Sequence, residues 1–375
     1  MPHHVARISA ALFAGLCLAA CGTSHPFYAP ETNRGAPPVP RRLTAPQPSI
    51  GERATVAFAQ LEGWGQDDHV AALRAFLNAC AAARNADLAV ACGRAEALGV
   101  ADESRARRFF ETNFRAVRVA EPGLLTAYFT PIYDARTKPD TVFRAPVRPM
   151  PADLSSRDWA GQSGAAYPDR AAIEERPAPD ALAWMRPEDL FFMQIQGSGV
   201  LVFEDGARAK AVFAGTNGAP FVAVARPMIR QGLIAPERAS GDGIRHWLAD
   251  SRGEAADAVM RLDPRYVFFR LAPDDGQDPA GAGGAPLVPG RSAAVDLSQY
   301  SLGEPLWIDA VAPTLSGAFP TYRRLVVAMD AGGAIRGAAR ADLYLGRGAS
   351  AGSQAGRVRH TLHLWRLVPV APAGW

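Results

Sequence analysis

The C-terminal part of the chain contains two short strand-like runs joined by a glycine-rich turn, and each run carries an aspartate. Residues 325–330 form an apolar run that ends in Asp330, and residues 340–346 form a second run that contains Asp342. The glycine pair at 332–333 predicts a tight turn with positive φ. This pattern predicts two neighbouring β-strands with both acids near strand ends.

The second run alternates between polar and apolar side chains. A period of two places Arg340, Asp342 and Tyr344 on one face of the strand, with Leu343 and Leu345 on the other. Asp342 then has polar neighbours on its own face and an apolar wall behind it. Burial of this kind can raise the pKa of a carboxyl group enough to keep it protonated near neutral pH, as a general acid requires.

A third aspartate and two upstream blocks connect this region to a known family. Asp296 precedes the two acids, and the earlier blocks are GLLTAYFTP at 123–131 and FFMQIQGSG at 191–199. In this order, segment 286–365 resembles the three-aspartate (3D) domain of the bacterial membrane-bound lytic transglycosylase A family, and both blocks fit the same family. The resemblance extends over residues 68–365, which is nearly the whole chain after its N-terminal segment.

The resemblance implies a mainly β fold with a few helices. Short apolar runs separated by Gly and Pro favour the same class. The family architecture would be a double-psi β-barrel domain formed by 51–128 and 241–375, with the 3D segment at about 286–366. An inserted second β domain, barrel-like, would occupy 129–240. A substrate groove is expected between the two domains.

The resemblance also implies a reaction. Asp342 would protonate the β-1,4 glycosidic oxygen between N-acetylmuramic acid and N-acetylglucosamine, and would then accept the proton of the C6 hydroxyl of the same sugar. The product would be a 1,6-anhydromuramoyl end. Intramolecular attack needs no activated water, so one carboxyl group suffices where ordinary glycosidases use a pair. Asp330 and Asp296 would support Asp342 by orienting donors, tuning its pKa or fixing turns, and no cofactor is required.

The block at 123–131 predicts a strand that faces the substrate. Alternation places Thr126, Tyr128 and Thr130 on one face, where the tyrosine ring and hydroxyl suit a sugar. Tyr128 and Thr130 are the expected substrate-binding residues of this strand. A strand that packs in an ordinary core is an equally open interpretation for both.

The block at 191–199 is also expected to be a strand. Its polar face would carry uncharged amides and hydroxyls that suit sugar hydroxyl and N-acetyl groups, and glycine would allow close approach. The expected substrate-binding residues here are Gln194, Gln196, Ser198 and Gly199. The helical lysozyme-like transglycosylases carry Glu-Ser and Met-Gln elements, but Met193-Gln194 would then lie in a strand, so Glu103-Ser104 is interpreted as an ordinary helix start.

The N-terminus predicts export and lipid attachment. Residues 1–20 form a signal peptide with an apolar run too short to span a bilayer, and small residues precede Cys21. This resembles a bacterial lipoprotein site, in which Cys21 carries the lipid and Gly22 directs sorting to the periplasmic face of the outer membrane. An ordinary signal with an incidental cysteine is the alternative. The Pro-rich stretch in 21–50 would be a tether.

Two other cysteines, Cys80 and Cys92, remain in the exported chain and are expected to form a disulfide in an oxidising compartment, with two separate buried thiols as the alternative. His360 and His363 lack a third ligand at a known metal spacing, so no metal is expected. Formal charge is +3, from 40 basic and 37 acidic side chains, which gives no argument for nucleic acid.

The expected partners are peptidoglycan glycan strands, the outer-membrane lipid through Cys21, and unidentified cell-wall synthesis complexes. Two alternative functions remain open at this point. A non-catalytic lipoprotein could bind peptidoglycan with the same groove, and an acid-pair glycoside hydrolase could release hydrated reducing ends.

Overall fold

The computed structural model describes residues 55–119, 122–155, 167–313, 315, 318 and 321–370. In these ranges the chain forms a large β lobe, packed with helices, and a second lobe with its own sheet. The strands are β1 Thr55–Val56, β2 Phe114–Arg118, β3 Gly123–Thr130, β4 Ile132–Asp134, β5 Ala145–Val147, β6 Ala183–Met185, β7 Gly199–Val202, β8 Arg208–Thr216, β9 Val267–Pro273, β10 Ser292–Ala294, β11 Pro305–Ala310, β12 Tyr322–Asp330, β13 Arg340–Arg347 and β14 Arg359–Pro369. The α-helices are α1 His69–Ala79, α2 Ala86–Leu98, α3 Glu103–Asn113, α4 Ala152–Ser155, α5 Arg170–Glu174, α6 Pro187–Gln196, α7 Ala225–Arg230, α8 Gly241–Ser251, α9 Gly253–Met260 and α10 Gly348–Ala355.

The large lobe is built on a sheet that closes on itself. Strands β14, β11, β12, β10, β13 and β3 are hydrogen-bonded in this order, and β14 also pairs with β3. The β3–β13 pairing is parallel, whereas the β3–β14 pairing that completes the ring is antiparallel. Strands β2 and β1 extend the sheet beyond β14. A mainly β architecture with some helices is therefore confirmed.

Alternating side chains fill the inside of this ring. Every strand of the ring contributes to one buried apolar cluster, as expected for a small barrel whose interior is packed. Its members include Leu125, Ala293, Leu306, Ile308, Val326, Ala328, Leu343, Leu362 and Leu364. Because Leu343 faces inward, its neighbours Asp342 and Tyr344 face outward, in agreement with the period of two.

Helices α1, α2 and α3 cover part of the outer surface of the barrel. Phe76 and Phe110 from the helices pack in one cluster with Trp307 and Leu325 from the strands. Helix α1 is capped by Asp68, whose side chain accepts from the N–H of Ala71. The end of α1 continues into a short 3₁₀ turn at Cys80–Ala82, and Cys80 is joined to Cys92 of α2 by a disulfide, the pairing expected from the sequence.

A buried ion pair joins the N-terminal helical segment to the barrel. Arg291 donates to both carboxylate oxygens of Asp67, over 2.7 and 2.9 Å, and also to the carbonyls of Leu325 and Asp68. The N–H of Leu325 completes the set by donating to Asp67. Such a pair is favourable only when its hydrogen bonds are complete, as they are here.

The second lobe contains a four-stranded sheet in the order β4-β7-β8-β9. Strands β7 and β8 form a hairpin around Gly206, which has a φ of 84°. Helices α6, α8 and α9 pack beside this sheet around a separate apolar cluster that includes Phe191 and Leu248.

The strand expected at 191–199 is wrong, because α6 occupies most of this block and β7 begins only at Gly199. The signals that start the helix lie upstream of the block. Pro187 is at the first helical position and two acids follow it in the first turn, while Gly197 ends the helix in the left-handed conformation with a φ of 83°. The reason for setting aside a helical Met193-Gln194 element was therefore also wrong.

The turn between β12 and β13 differs from expectation. Its positive φ falls on Gly337, at 98°, and not on the glycine pair at 332–333. In the second lobe Arg252, with a φ of 34°, separates α8 from α9.

The expected signal peptide, the lipidated Cys21 and the tether at 21–50 lie outside the described residues. Among the described residues, no helix is long and apolar enough to cross a membrane.

Asp67→Asn is expected to lower the free energy of unfolding by about 3–5 kcal/mol, because it leaves the Arg291 guanidinium buried without a countercharge. Denaturant unfolding measures this value. Glu62→Gln is the control, since the Glu62 carboxylate that pairs with Arg323 is 75% exposed, and its loss should cost less than about 1 kcal/mol. Equal effects of the two substitutions would contradict the structural role of the buried pair.

Candidate active site

Three neighbouring strands bring two of the aspartates together. Ala294 of β10 lies in register with Asp330 of β12 on one side and with Asp342 of β13 on the other. Strand β3 lies on the far side of β13 and pairs Thr126 with Asp342 and Tyr128 with Tyr344. Both carboxyl groups therefore lie on the outer face of the barrel, next to the polar face of β3.

Asp342 is enclosed by protein although part of its surface remains exposed. The hydroxyl of Thr126 donates a short hydrogen bond to its Oδ1. Arg340 donates to the same hydroxyl oxygen over 2.7 Å, so the single proton of Thr126 is directed to the carboxyl group. Burial raises the pKa of Asp342, Thr126 and Arg340 lower it, and the nearby charge of Asp330 raises it, with a net increase.

Asp330 has a different set of partners. The hydroxyl of Tyr128 donates to Oδ2 over 2.7 Å, and the N–H groups of Ala282 and Ala331 donate to Oδ1 over 2.9 Å each. Burial raises the pKa of Asp330 despite these three bonds. Burial and the adjacent Asp330 also raise the pKa of Tyr128 well above its ordinary value, so the phenol remains a donor.

Thr130 lies in the interior. It is 1% exposed, and its hydroxyl is 2.9 Å from the hydroxyl of Tyr344, which donates to Asp278 over 2.6 Å. Tyr128 is 9% exposed, with its ring centroid 5.2 Å from that of Tyr344. The predicted face of Thr126, Tyr128 and Thr130 is thus formed as expected, but it holds the carboxyl groups, and Thr130 is part of the packing.

Asp296 is separate from this pair. Its oxygens accept from the N–H of Gly337 over 2.7 Å and from the N–H and hydroxyl of Ser298, and Arg336 lies 3.6 Å away. The bond from Gly337, together with those from Ser298, lowers the pKa of Asp296. An ionised carboxylate with these partners stabilises a turn, which is one of the supporting roles expected for it.

The residues expected in block 191–199 divide into two groups. Gln194 is 4% exposed, and its amide bonds Arg170 and the carbonyl of Val267, so it is not available to a substrate and that expectation is corrected. Gly199 is buried, and a Cβ there would lie 2.5 Å from Sδ of Met193, so this glycine serves packing. Gln196 and Ser198 are partly exposed, and Gln196 accepts from the N–H of Phe129 in β3.

Thr126, Arg340 and Asp278 were not among the expected site residues. Alternation along β3 already places Thr126 on the same face as Tyr128, and alternation along β13 places Arg340 on the same face as Asp342. The sequence therefore indicated that both residues lie near the expected site residues. No local pattern indicates Asp278, because it reaches Tyr344 from a loop 66 residues away.

Two pockets of the described residues, one beside Arg170 and Tyr266 and one beside Asp189 and Arg245, lie in the second lobe, away from Asp342. No group of three or more His, Cys, Asp or Glu side chains in that part is arranged to hold a metal ion.

Comparisons with known proteins identify the two lobes. Residues 124–270 match the model of the MltA specific insert domain, and residues 291–368 match the 3D domain. The crystal structure of a membrane-bound lytic murein transglycosylase from Agrobacterium tumefaciens is similar with a TM-score of 0.72 and 34% identity, over 84% of this chain and 97% of that one. The E. coli MltA structure with bound chitohexaose has a TM-score of 0.62 and 26% identity, over 87% and 94%.

A curated relative is the membrane-bound lytic murein transglycosylase A of Vibrio cholerae, which is 30% identical over 247 residues. That alignment covers 65% of this chain and 65% of the relative. The two matched domains define the class of this chain as proteins that combine an MltA specific insert domain with a 3D domain. The chain belongs to the family of membrane-bound lytic murein transglycosylases A.

Asp342→Asn is expected to stabilise the protein at neutral pH. Because the pKa of Asp342 is raised above its ordinary value of 3.8, the folded chain binds this proton more tightly than the unfolded chain. Wild-type stability therefore falls as the pH rises from about 3.8 through the folded-state pKa, by about 1.4 kcal/mol for each pKa unit. The asparagine variant has no carboxyl group at this position, so it does not lose stability in this way as the pH rises. Thermal unfolding across this pH range measures the difference.

Asp296→Asn is the matched control with the opposite sign. Its pKa is lowered in the folded chain, so the wild-type carboxylate contributes stability at neutral pH that disappears on acidification. The variant should be less stable than wild type at neutral pH and should approach it in acid. If both substitutions changed the stability at neutral pH in the same direction, the environments assigned to Asp342 and Asp296 would be wrong.

Proposed function

We propose that this chain is a lytic transglycosylase that cleaves the β-1,4 bond between N-acetylmuramic acid and N-acetylglucosamine in peptidoglycan. The observation that carries the proposal is the enclosed Asp342, whose pKa is raised by burial, the direction of shift that a general acid requires. The membership of the chain in this family and the chitohexaose bound to the E. coli relative support a glycan strand as the substrate of this chain.

In the proposed reaction Asp342 acts first as acid and then as base. Its Oδ–H gives a proton to the glycosidic oxygen as the bond from C1 of the muramic acid to that oxygen breaks. The C6 hydroxyl oxygen of the same sugar then forms a bond to C1, and its proton passes to the Asp342 carboxylate. No water is consumed, the catalyst is regenerated, and a 1,6-anhydromuramoyl end results.

We assign supporting roles to the neighbours of Asp342. The charge of Asp330 raises the pKa of Asp342, while the Tyr128 hydroxyl keeps the Asp330 carboxylate in place. Thr126, held by Arg340, orients the reacting carboxyl group. We propose Gln196 and Ser198, which are partly exposed, as the expected substrate contacts that remain accessible, whereas Tyr128 is buried and acts through Asp330.

The finer architecture is also part of the proposal. The closed ring of six consecutive strands fits a double-psi β-barrel. The inserted domain begins near residue 129, and because β9 pairs with β8 we extend it from residue 240 to Pro273. The remaining residues of 51–375 would form the barrel domain. The glycan strand would lie between the barrel domain and the inserted domain.

The location and partners follow the same reasoning. We propose that Cys21 carries the lipid that anchors the enzyme to the periplasmic face of the outer membrane, in keeping with the membrane-bound description of its relatives. Peptidoglycan glycan strands are the proposed substrate, and cell-wall synthesis complexes are proposed protein partners.

Purified protein and peptidoglycan sacculi test the activity directly. Wild type is expected to release muropeptides that are lighter by one water than hydrolysis products, whereas Asp342→Asn should lower the rate by at least about a thousandfold, because it removes the only proposed proton donor. Mass spectrometry identifies the product. Hydrated reducing ends would instead indicate an acid-pair hydrolase, and sacculus binding without any product would indicate a non-catalytic binding lipoprotein.

Thr126→Val should move the alkaline limb of the pH–rate profile to higher pH. The hydroxyl of Thr126 lowers the pKa of Asp342, so its loss makes Asp342 hold its proton to a higher pH. A hydrogen bond of about 1 kcal/mol corresponds to a shift of roughly 0.7 pH unit. Thr126→Ser retains the hydroxyl and is the control with an unchanged limb. A shift of the valine variant to lower pH would contradict this role.

A further inference from the structure

A charged pocket of about 340 Å³ lies in the second lobe, on the side of α6 that faces α8. It is separate from the Asp342 site. Its polar lining comes from the start of α6, from α8 and from the junction between α8 and α9, and consists of Arg186, Glu188, Asp189, Asp242, Arg245, His246 and Arg252.

Glu188 provides a buried carboxylate on the wall of this pocket. The residue is 7% exposed, and within the described ranges its carboxylate has no hydrogen-bond or ion-pair partner. Asp189, by contrast, bonds Arg245 over 2.5 Å and lies 3.4 Å from Arg186. The carboxylate oxygens of Glu188 are not among the fully enclosed unpartnered atoms of the described residues, so they face the pocket, where a donor that arrives with a ligand can bond them.

Arg252 provides the opposite charge. Its Nε donates to the carbonyl of Ala249 over 2.8 Å, and in the part of the chain that the structure describes its two terminal nitrogens have no partner. Its backbone has φ 34° and ψ 167°, a conformation that costs a residue other than glycine about 1–3 kcal/mol. Of the residues described, it is the one non-glycine residue with positive φ. Such strain is typical of residues kept for binding or catalysis.

The pocket presents free groups of both charges, because the Asp242 carboxylate also lines it beside Glu188 and Arg252. A simple anion would meet the carboxylates of Glu188 and Asp242, and a simple cation would meet Arg252, so neither is complementary to the whole pocket. A carbon that carries both an ammonium and a carboxylate satisfies both groups, because the ammonium can donate to Glu188 and the carboxylate can accept two bonds from the Arg252 guanidinium.

Helix α6 connects this pocket to the candidate active site. It begins at Pro187 beside the pocket and ends at Gln196, which bonds the N–H of Phe129 in β3. Its 10 residues correspond to about 15 Å. An extended peptide of four residues reaches about 13–14 Å. The extended peptide is thus about as long as α6, and a peptide stem that lies along this helix from Gln196 would end near the pocket.

We propose that this pocket binds an α-amino-acid zwitterion, with the ammonium at Glu188 and the carboxylate at Arg252. The zwitterion can be the end of a diamino-acid side chain in a peptidoglycan stem peptide, or a free amino acid. The first source rests on the proposed function, because it makes the pocket a recognition site for the peptide part of the substrate.

Titration calorimetry with the full chain in detergent tests the inference. The probes are the tripeptide L-alanyl-γ-D-glutamyl-meso-diaminopimelate, free meso-diaminopimelate, and pimelate, which lacks both ammonium groups. We expect the first two to bind and pimelate not to bind. Tighter binding of the tripeptide identifies the stem as the source, and equal binding identifies the free amino acid. Absence of binding by both amino compounds, or equal binding of pimelate, overturns the proposal.

Variants locate the binding. Glu188→Gln and Arg252→Gln should each weaken tripeptide binding about tenfold or more, since each removes a charge-assisted hydrogen bond. Arg230→Gln, an exposed arginine on α7, is the control and should bind like wild type. Arg252→Gly should lose binding while its unfolding temperature rises, because glycine relieves the strained backbone. Retained binding in both Arg252 variants would overturn the proposal even if Glu188→Gln failed to fold.

Turnover separates this inference from the proposed function. Wild type and the Arg252 variant are compared on glycan strands with intact stems and on strands stripped of peptides by an amidase. We expect Arg252→Gln to lower turnover of the peptide-bearing strands only. If wild type releases anhydro products while no amino compound binds, the catalytic proposal stands and the pocket proposal fails.

Discussion

The position of β3 between β13 and β14 is the constraint on which the barrel and its site depend. Gly123–Thr130 pairs in parallel with Arg340–Arg347 and antiparallel with Arg359–Pro369, so one early strand closes a ring whose other members all come from the last third of the chain. The same pairing brings Thr126 beside Asp342 and the Tyr128 side chain to Asp330. The pairings that close the ring therefore also place the donors Thr126 and Tyr128 beside the two aspartates.

The site combines burial with incomplete charge compensation. Asp342 and Asp330 both have their pKa raised by burial, although each accepts hydrogen bonds from neighbours. Asp296, from the same sequence signature, has its pKa lowered by backbone and hydroxyl donors and stabilises a turn. Chemically identical side chains therefore have their pKa shifted in opposite directions, because the barrel encloses two of them and surrounds the third with donors. This difference is what makes a single-acid mechanism reasonable for Asp342.

Some errors in the sequence-based analysis have a common physical origin. The block at 191–199 alternates like a strand, but Pro187 and the acids after it start a helix before the block begins, and Gly197 ends it. The glycine pair at 332–333 was expected to supply positive φ, yet Gly337, nearer the start of β13, does so. In each case a deciding residue lies outside the short window in which the pattern was evaluated.

Local sequence determined the elements that need only neighbours along the chain. These include the outward face of Asp342, the caps of α1 and α3, the disulfide between Cys80 and Cys92, and the shared face of Thr126, Tyr128 and Thr130. Tertiary structure alone decided that Gln194 is buried, that Asp296 is apart from the other two acids, that Asp278 reaches Tyr344, and that Glu188 and Arg252 share a pocket. The physical reason is that strand and helix periods specify which way a side chain points, whereas its partners depend on pairings between segments as far apart as the 216 residues that separate Thr126 from Asp342.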